Sequence, residues 1–253
     1  MIDWFELERE LDRWDDPLRP ASMWWRDDDA CRESPLLERA LALSRAHAVP
    51  LGLAVIPAAM TPGFSNTLPR LDPGVQVLQH GFAHRNHAGA GEKKSEFGEH
   101  RPSEVMRDEI SRGARMLRAA ASERVVPVFV PPWNRIARPL LSALPGLGFQ
   151  AVSTFGAGTC AEPAPGLRRI NAHVDLIDWR GDRRCKGGKR VLADLVAHLK
   201  SRRAESSDEP TGILSHHLAH DEGCWRFLDG LFAVTAKRGN VRWLSPSEVL
   251  RCA

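Results

Sequence analysis

Short apolar runs alternate along the chain with longer amphipathic segments, and this alternation predicts the secondary structure. The apolar runs predict strands at residues 21–26, 51–56, 75–79, 125–130, 151–154, 170–175, 211–215 and 241–244. The amphipathic segments predict helices over residues 2–14, 34–46, 102–121, 139–144, 190–203 and 222–237. Strands that alternate with helices over the whole length favour an α/β fold whose mainly parallel sheet is closed, or nearly closed, into a barrel.

Length and composition agree with a single domain. A chain of 253 residues that is 43% hydrophobic and 26% charged can bury a full core, so we expect residues 1–253 to form one domain. The net charge of +3 is mild and its basic residues are scattered, which argues against a nucleic-acid partner. The acidic, amphipathic start does not resemble a signal peptide and no apolar run is long enough to span a membrane, so we expect a cytoplasmic protein. The five cysteines are odd in number and include no CxxC pair, which indicates free thiols.

Polar clusters follow five of the predicted strands. Three consecutive carboxylates follow the first strand, and the histidines His80, His84 and His87 follow the third. The other clusters are Pro131 to Arg135, Asp175 to Trp179, and His216-His217. Because the carboxyl ends of parallel strands share one rim of a barrel, the five clusters predict one site. Imidazole and carboxylate are the usual ligands of a catalytic zinc or similar divalent ion, so the sequence indicates a metal-dependent hydrolase.

The same clusters resemble, in order, the motifs of the NodB-type polysaccharide deacetylases, carbohydrate esterase family 4. That family carries an Asp-Asp pair, a His-x-x-x-His motif, an Arg-x-Pro-aromatic segment, an Asp-x-x-Asp-Trp segment and a late Leu-x-His segment. The matching residues are Asp28-Asp29, His80 with His84, Pro132-Trp133, Asp175 with Asp178-Trp179, and Leu214-Ser215-His216. The resemblance covers residues 22 to 217 or so and implies a distorted (β/α) barrel of the NodB type, from a divergent branch.

The resemblance also implies roles for individual residues. Asp29, His80 and His84 would hold one divalent ion, with zinc expected first and cobalt, nickel or manganese as alternatives, and Asp28 would be the general base. We assign the pair to Asp28-Asp29 because Ala30 is small where the family has glycine.

An amine leaves poorly unless it is protonated, so we expect His216 to be the general acid and Asp175 to orient it. The expected substrate-binding residues are Trp133, Asn134, Arg135, Trp179 and His87.

The chain departs from the family pattern in several places. If the prolines are aligned, Val130 replaces the arginine that contacts the catalytic aspartate in the family, and Arg26 or Arg135 could supply that charge. We expect Asp27 to be an ion-pair partner near Arg26 rather than a catalyst. The polar region from His80 to Arg101 is long for a compact domain and favours a functional loop. The family pattern does not account for three further histidines and one aspartate, and these residues indicate a branch with its own substrate. They are His87, His217, His220 and Asp221.

The favoured function is a metal-dependent amide hydrolase that removes an acyl group, acetyl first, from an amino sugar or glycan-related substrate. The absence of an export signal favours a soluble precursor, a nucleotide sugar or a glycolipid headgroup at the inner membrane face over an intact cell-wall polymer. Two alternatives stay open. One is a non-catalytic, metal-containing barrel that binds a glycan or small ligand, and the other is a C–N hydrolase that acts on a non-sugar amide.

Overall fold

The computed structural model describes residues 2–158 and 162–252. Its strands are β1 (Ala21–Ala30), β2 (Leu51–Val55), β3 (Val75–His80), β4 (Val125–Val130), β5 (Ala151–Val152), β6 (Arg168–Arg169), β7 (Val174–Asp175), β8 (Thr211–Ser215) and β9 (Val241–Leu244). They form one sheet in the order β6-β5-β4-β3-β2-β1-β8-β7, with β9 beside β1. Every pair of these strands is parallel. The sheet curls into a distorted (β/α) barrel, which confirms the expected fold class.

The helices are α1 (Phe5–Leu11), α2 (Pro35–His47), α3 (Pro62–Thr67), α4 (Ser103–Ala121), α5 (Arg138–Ala143), α6 (Gly188–Ala204), α7 (Glu222–Thr235) and α8 (Pro246–Cys252). The start of α2 lies where the sequence predicted it, because Ser34 Oγ accepts a hydrogen bond from Leu37 N (3.0 Å) and Pro35 occupies the first turn. Within the described ranges, no helix combines the length and the apolar character that a membrane crossing requires.

The two faces of the central strand β1 pack against different apolar groups. Trp24 belongs to the cluster that includes Leu78 and Val128 on neighbouring strands. Trp25 belongs to the cluster of the surrounding helices, and its ring lies 5.0 Å from that of Phe232 on α7. This alternation follows from the period of two along a strand. It places the next residues of β1 alternately on these two faces.

Strand β1 is longer than the sequence predicted. We expected it to end at Arg26, before the three carboxylates, but the ladder continues: Asp27 is in register with Leu53 of β2 and Ser215 of β8. The carboxylates are tolerated there because each has a partner, as described below.

The other differences concern short or irregular elements. Of the predicted strand 170–175, only Val174–Asp175 (β7) is a strand, and β6 at Arg168–Arg169 was not predicted. The strands β6 and β7 lie at opposite edges of the sheet, so residues 170–173 carry the chain across the gap between them. The predicted helix 2–14 covers only Phe5–Leu11. Helices α3 and α8 were not predicted because six and seven residues are too few for a clear period.

Candidate active site

Three side chains from β1 and β3 converge at the carboxyl rim of the barrel. Asp29 Oδ1 lies 3.0 Å from His80 Nε2 and 3.3 Å from His84 Nε2. One ligand atom from each of the three residues lies within 4.8 Å of the others. The structure therefore brings together the three residues that the resemblance implied as metal ligands.

A local distortion of β1 brings two adjacent carboxylates to this rim. The register with β2 shifts between Asp27 and Ala30, and Asp29 has a left-handed backbone (φ 74°). In a regular strand, neighbouring side chains point to opposite faces, so Asp28 and Asp29 could not both reach one site. Aspartate tolerates this conformation better than most residues. The shift in register therefore lets both carboxylates lie close enough to His80 to raise its pKa.

Left-handed backbone is concentrated at the site. Of the eight non-glycine residues with positive φ in ranges 2–158 and 162–252, half lie here: Asp29, His84, Trp133 and Asn134. Such conformations cost free energy and persist where the surrounding structure holds them, often at functional sites.

The hydrogen bonds of His80 suit a metal ligand. Its Nδ1 lies 3.0 Å from the carbonyl oxygen of Val130, which can only accept, so Nδ1 carries the proton. In the neutral imidazole Nε2 then has a lone pair, and it faces the carboxylate oxygen of Asp29, which is also an acceptor. Two facing acceptors require either a second proton on His80 or a cation beside them. The donor set of one carboxylate and two imidazoles therefore fits a divalent ion.

The electrostatics of Asp29 and His84 agree with this interpretation, whereas the pKa of His80 is raised, so His80 would release a proton on binding an ion. Burial by itself raises the pKa of Asp29, but the hydrogen bond and charge of His80, together with the charges of His216 and His84, lower it well below its ordinary value. Burial lowers the pKa of His80, but Asp28 and Asp29 outweigh burial and raise it. Burial and the charge of His80 lower the pKa of His84. Asp29 is thus held ionised and His84 neutral, which are the forms that bind metal.

A buried carboxylate that the sequence analysis missed holds the turn between the two histidines. Glu96 is 1% exposed and accepts hydrogen bonds from the backbone N–H of Phe82 (3.1 Å), Ala83 (2.7 Å) and Arg85 (3.4 Å). The turn begins at Gly81, whose φ is +59° and whose missing side chain leaves room for Glu96. No sequence signal identifies Glu96, because a single acid in a polar loop is ordinary. Its contacts fix the backbone that presents His84.

Asp28 is clamped by an arginine from its own strand. Arg26 is fully buried; its Nε lies 2.9 Å from Asp28 Oδ1, and its Nη2 donates to Oδ2 at 3.0 Å. Arg26 also donates to Ser153 Oγ (2.6 Å) and to Asn134 Oδ1 (3.0 Å). Arg135 is exposed and donates instead to the carbonyl oxygen of Lys94 (2.9 Å). Of the two arginines left open by the sequence, Arg26 is the one that contacts Asp28.

His216, the expected acid, follows β8 and packs against Trp179. The two rings are edge to face with centroids 4.7 Å apart, and Trp179 Nε1 donates to Asp175 Oδ2 at 2.8 Å. Asp175 Oδ1 accepts from the backbone N–H of Ile177 (2.9 Å). In the described part of the chain, His216 Nδ1 is buried without a hydrogen-bond partner. Asp175 therefore reaches His216 through the indole of Trp179 rather than by the direct contact we expected.

The expected substrate-binding residues occupy different positions. Trp133 lies beside the cluster, with its ring centroid 4.4 Å from that of His84, and Trp179, which packs on His216, is 44% exposed. Asn134 contacts Arg26 and so belongs to the support of Asp28. Arg135 points to the loop at Lys94, and His87 donates through its backbone N–H to Ser95 O (2.9 Å), outside the three-residue cluster.

Asp27 pairs with His217 beneath the rim. Asp27 Oδ1 lies 2.5 Å from His217 Nδ1, and Oδ2 accepts from Ser215 Oγ (2.5 Å) and His217 N (3.0 Å). Both side chains are fully buried. Burial raises the pKa of Asp27, but His217 outweighs it and lowers that pKa; burial lowers the pKa of His217, and Asp27 outweighs it and raises that one. Asp27 is the ion-pair partner we expected, with His217 rather than Arg26 as its counter-ion.

Comparison with known proteins gives a fold likeness and no sequence match. No protein-family model matches the chain, and no curated protein matches it in sequence. The peptidoglycan N-acetylglucosamine deacetylase Bc1960 superposes with a TM-score of 0.61 and 17% identity over 90% of this chain and 88% of that one. The family 4 acetyl xylan esterase from Clostridium thermocellum, solved with a cobalt ion, superposes with a TM-score of 0.57 and 13% identity over 90% of this chain and 89% of that one. PuuE allantoinase superposes with a TM-score of 0.62 and 14% identity over 86% of this chain and 71% of that one.

The fold is that of the NodB-type, family 4 carbohydrate deacetylases. The resemblance that the motifs indicated is thus confirmed at the level of the fold.

Proposed function

We propose that this chain is a divalent-metal-dependent amide hydrolase that removes an acyl group, acetyl first, from an amino sugar or glycan-related substrate. The observation that carries the proposal is the convergence of Asp29, His80 and His84 beside the separate carboxylate of Asp28. Amide hydrolysis needs an electrophilic centre and a base that is not itself a ligand, and this arrangement offers both. The fold likeness to a deacetylase and an esterase supports the class of reaction.

Asp29, His80 and His84 would hold the metal. When bound, a divalent ion would polarise the acyl carbonyl and lower the pKa of a nearby water. The hydrogen bond from His80 Nδ1 to Val130 O keeps the ring oriented, and Glu96 keeps the turn to His84 in place.

Asp28 is the proposed general base. Its carboxylate is 2% exposed and its position is fixed by Arg26, so it can take the proton from the attacking water without reorienting. The guanidinium of Arg26 supplies the hydrogen bond and the opposite charge that a buried carboxylate requires.

His216 is the proposed general acid that protonates the departing amine. Trp179 holds one side of its ring and is itself fixed by Asp175. Trp179 is exposed beside His216 and Trp133 lies beside His84, and each ring could stack on the apolar face of a sugar. An imidazole side chain is suited to the role of general acid because imidazoles can both hold and release a proton near neutral pH.

A combined metal and turnover assay tests the proposal. Three proteins are reconstituted with zinc or cobalt: wild type, the double variant H80A/H84A, and the single variant H100A. Acetate release is then measured with a panel of N-acetylated amino sugars. His100 is a matched control because it lies in the same loop but outside the cluster. We expect about one ion per chain in wild type and H100A, with loss of metal and activity in H80A with H84A. A wild-type protein that stays metal-free after reconstitution would disprove the mechanism.

A second candidate is hydrolysis of a non-sugar amide, which the fold likeness to PuuE allantoinase favours. The same site residues would serve, because the chemistry is set by the site rather than by the fold. Adding ureido and cyclic amide compounds to the panel separates the two: turnover of these alone selects the second candidate. Metal binding without turnover of any compound, in a protein that binds glycans, would instead favour a binding barrel.

A further inference from the structure

Two cysteine side chains meet at a place that the hydrolase chemistry does not use. Cys185 lies in the segment after β7 and Cys224 in the first turn of α7. Their sulfur atoms and a carboxylate oxygen of Asp221 lie within 4.8 Å of one another. Both cysteines are free thiols. The fold thus juxtaposes two thiols that are far apart in the sequence.

The approach of the two cysteines is held by specific contacts. The Asp221 carboxylate caps α7: its Oδ1 accepts from Cys224 N (3.1 Å), and its Oδ2 accepts from Cys185 N (3.2 Å). A side chain at Gly223 would place its Cβ 3.1 Å from Cys185 Cβ and 3.4 Å from Cys185 Sγ. One carboxylate therefore positions both backbones, and glycine leaves the space that Cys185 fills.

The two thiols differ in access and in acidity. Cys224 is fully buried, whereas Cys185 is part-exposed. The hydrogen bond from the Cys224 thiol, together with the backbone N–H of Gly187, outweighs burial and lowers the pKa of Cys185 to about 7. The same hydrogen bond and burial raise the pKa of Cys224. One accessible, nucleophilic thiol next to one protected thiol is the arrangement of an attacking and a resolving cysteine.

We propose that Cys185 and Cys224 are a reversible dithiol–disulfide pair that reacts with small-molecule disulfides. The Cys185 thiolate attacks one sulfur of a disulfide RSSR, which forms a mixed disulfide and releases RS⁻. Cys224 then gives up its proton, attacks the Cys185 sulfur and displaces the second RS⁻. The two cysteines are oxidised to one disulfide, and RSSR is reduced to two RSH once the thiolates are protonated.

A disulfide between Cys185 and Cys224 would link residues 176–186 covalently to α7. Backbone hydrogen bonds from Asp178 N to Arg184 O (2.9 Å) and from Lys186 N to Leu176 O (2.9 Å) make residues 176–186 a hairpin. This hairpin carries Trp179, which packs on His216. Oxidation would therefore link the hairpin that carries Trp179 to α7, the helix that follows His216.

A metal site is the less favoured interpretation of the same cluster. Both Asp221 oxygens already accept backbone N–H groups, including that of Gly223 (2.8 Å). Only three candidate ligands are found there among the described residues, whereas structural zinc sites have four.

Redox titration of the full-length protein tests the proposal without any substrate. The reduced protein is equilibrated with oxidised and reduced glutathione, its free thiols are alkylated, and its peptides are mapped by mass spectrometry. We expect an internal disulfide between Cys185 and Cys224 in wild type, and equally in C31S with C252S, the matched control. C224A should lose the internal disulfide and keep glutathione on Cys185, while C185A should leave Cys224 unmodified.

Other outcomes overturn the proposal. Glutathione that stays on Cys185 in wild type as it does in C224A would show that Cys224 does not resolve the adduct. One equivalent of zinc that protects both thiols from alkylation, and that persists in H80A with H84A, would establish a metal site instead. The wild-type peptide map decides the question even if a buried variant fails to fold.

Discussion

Arg26 and Asp28 form an ion pair within a single strand, two residues apart and on the same face of β1. Both contacts are close to 3 Å, and both side chains are buried. The motif comparison places an arginine at the position of Val130, the last residue of β4, whereas in this chain the charge next to Asp28 comes from Arg26 on the same strand.

The first prediction concerns this pair. R26K should lower the free energy of unfolding by about 2 kcal/mol and lower kcat by about tenfold, because an ammonium cannot keep all the hydrogen bonds that the guanidinium donates to Asp28, Ser153 and Asn134. Urea denaturation and acetate release are the measurements. The control is R45K, because Arg45 contacts Asp72 on the surface at 3.0 Å, and its effect should stay within about 0.5 kcal/mol. Equal effects of the two substitutions would remove Arg26 from the mechanism.

The second prediction separates the two adjacent carboxylates. D29N should lose bound metal, whereas D28N should keep the metal and lose turnover by about a hundredfold or more. Elemental analysis and acetate release on the same preparations give both answers. The reverse pattern would show that the assignment of the Asp-Asp pair is wrong by one residue.

The third prediction concerns the turn that presents His84. E96Q replaces one carboxylate oxygen by an amide group that cannot accept, so at least one of the backbone N–H groups of the turn loses its partner. We expect metal affinity to fall by about tenfold, since supports of metal ligands have effects of this size. E99Q is the control, because Glu99 is exposed in the same loop. Titration with zinc and a competing chelator measures both, and unchanged affinity in E96Q would contradict the assigned role.

The fourth prediction is a pH dependence of stability from Asp27 and His217. The pKa of His217 is raised above 6.5, so the stability that protonated His217 adds to the fold is fully present below pH 6.5 and is lost as the pH rises through the raised pKa. The pKa of Asp27 is lowered below 3.8, so the stability that ionised Asp27 adds to the fold is fully present above pH 3.8 and is lost as the pH falls through the lowered pKa. H217N should therefore cost most between these limits, about 3 kcal/mol at pH 5, and less at pH 9. Urea denaturation at both pH values is the test, and a cost that rises with pH would refute the ion pair.

Much of the framework follows from local sequence. Strands β4, β8 and β9 have the predicted bounds because short segments rich in apolar residues are followed there by proline or polar residues. The convergence of Asp29 with His80 follows from a general rule, since parallel strands bring their carboxyl ends to one rim. That rule required no knowledge of side-chain geometry.

The remaining features depend on contacts that sequence patterns do not report. The left-handed backbone of Asp29 is set by a register shift against β2, and the role of Glu96 by backbone donors more than ten residues away. The choice between Arg26 and Arg135 depended on which side chain faces the barrel interior, which became clear only when the strand was seen to continue beyond Arg26. The meeting of Cys185 and Cys224 depends on how α7 packs beside the hairpin.

The alternation along β1 also determines how this stretch can vary. Odd positions serve the helical shell through Trp25 and Asp27, while even positions serve the barrel interior through Trp24, Arg26 and Asp28. A saturation-mutagenesis scan should therefore show intolerant positions on both faces, with the loss of folding yield at Trp24 and Trp25 and the loss of turnover at Arg26 and Asp28. Insertion of a single residue ahead of Trp24 would exchange the two faces, so the stretch should accept no change in its length.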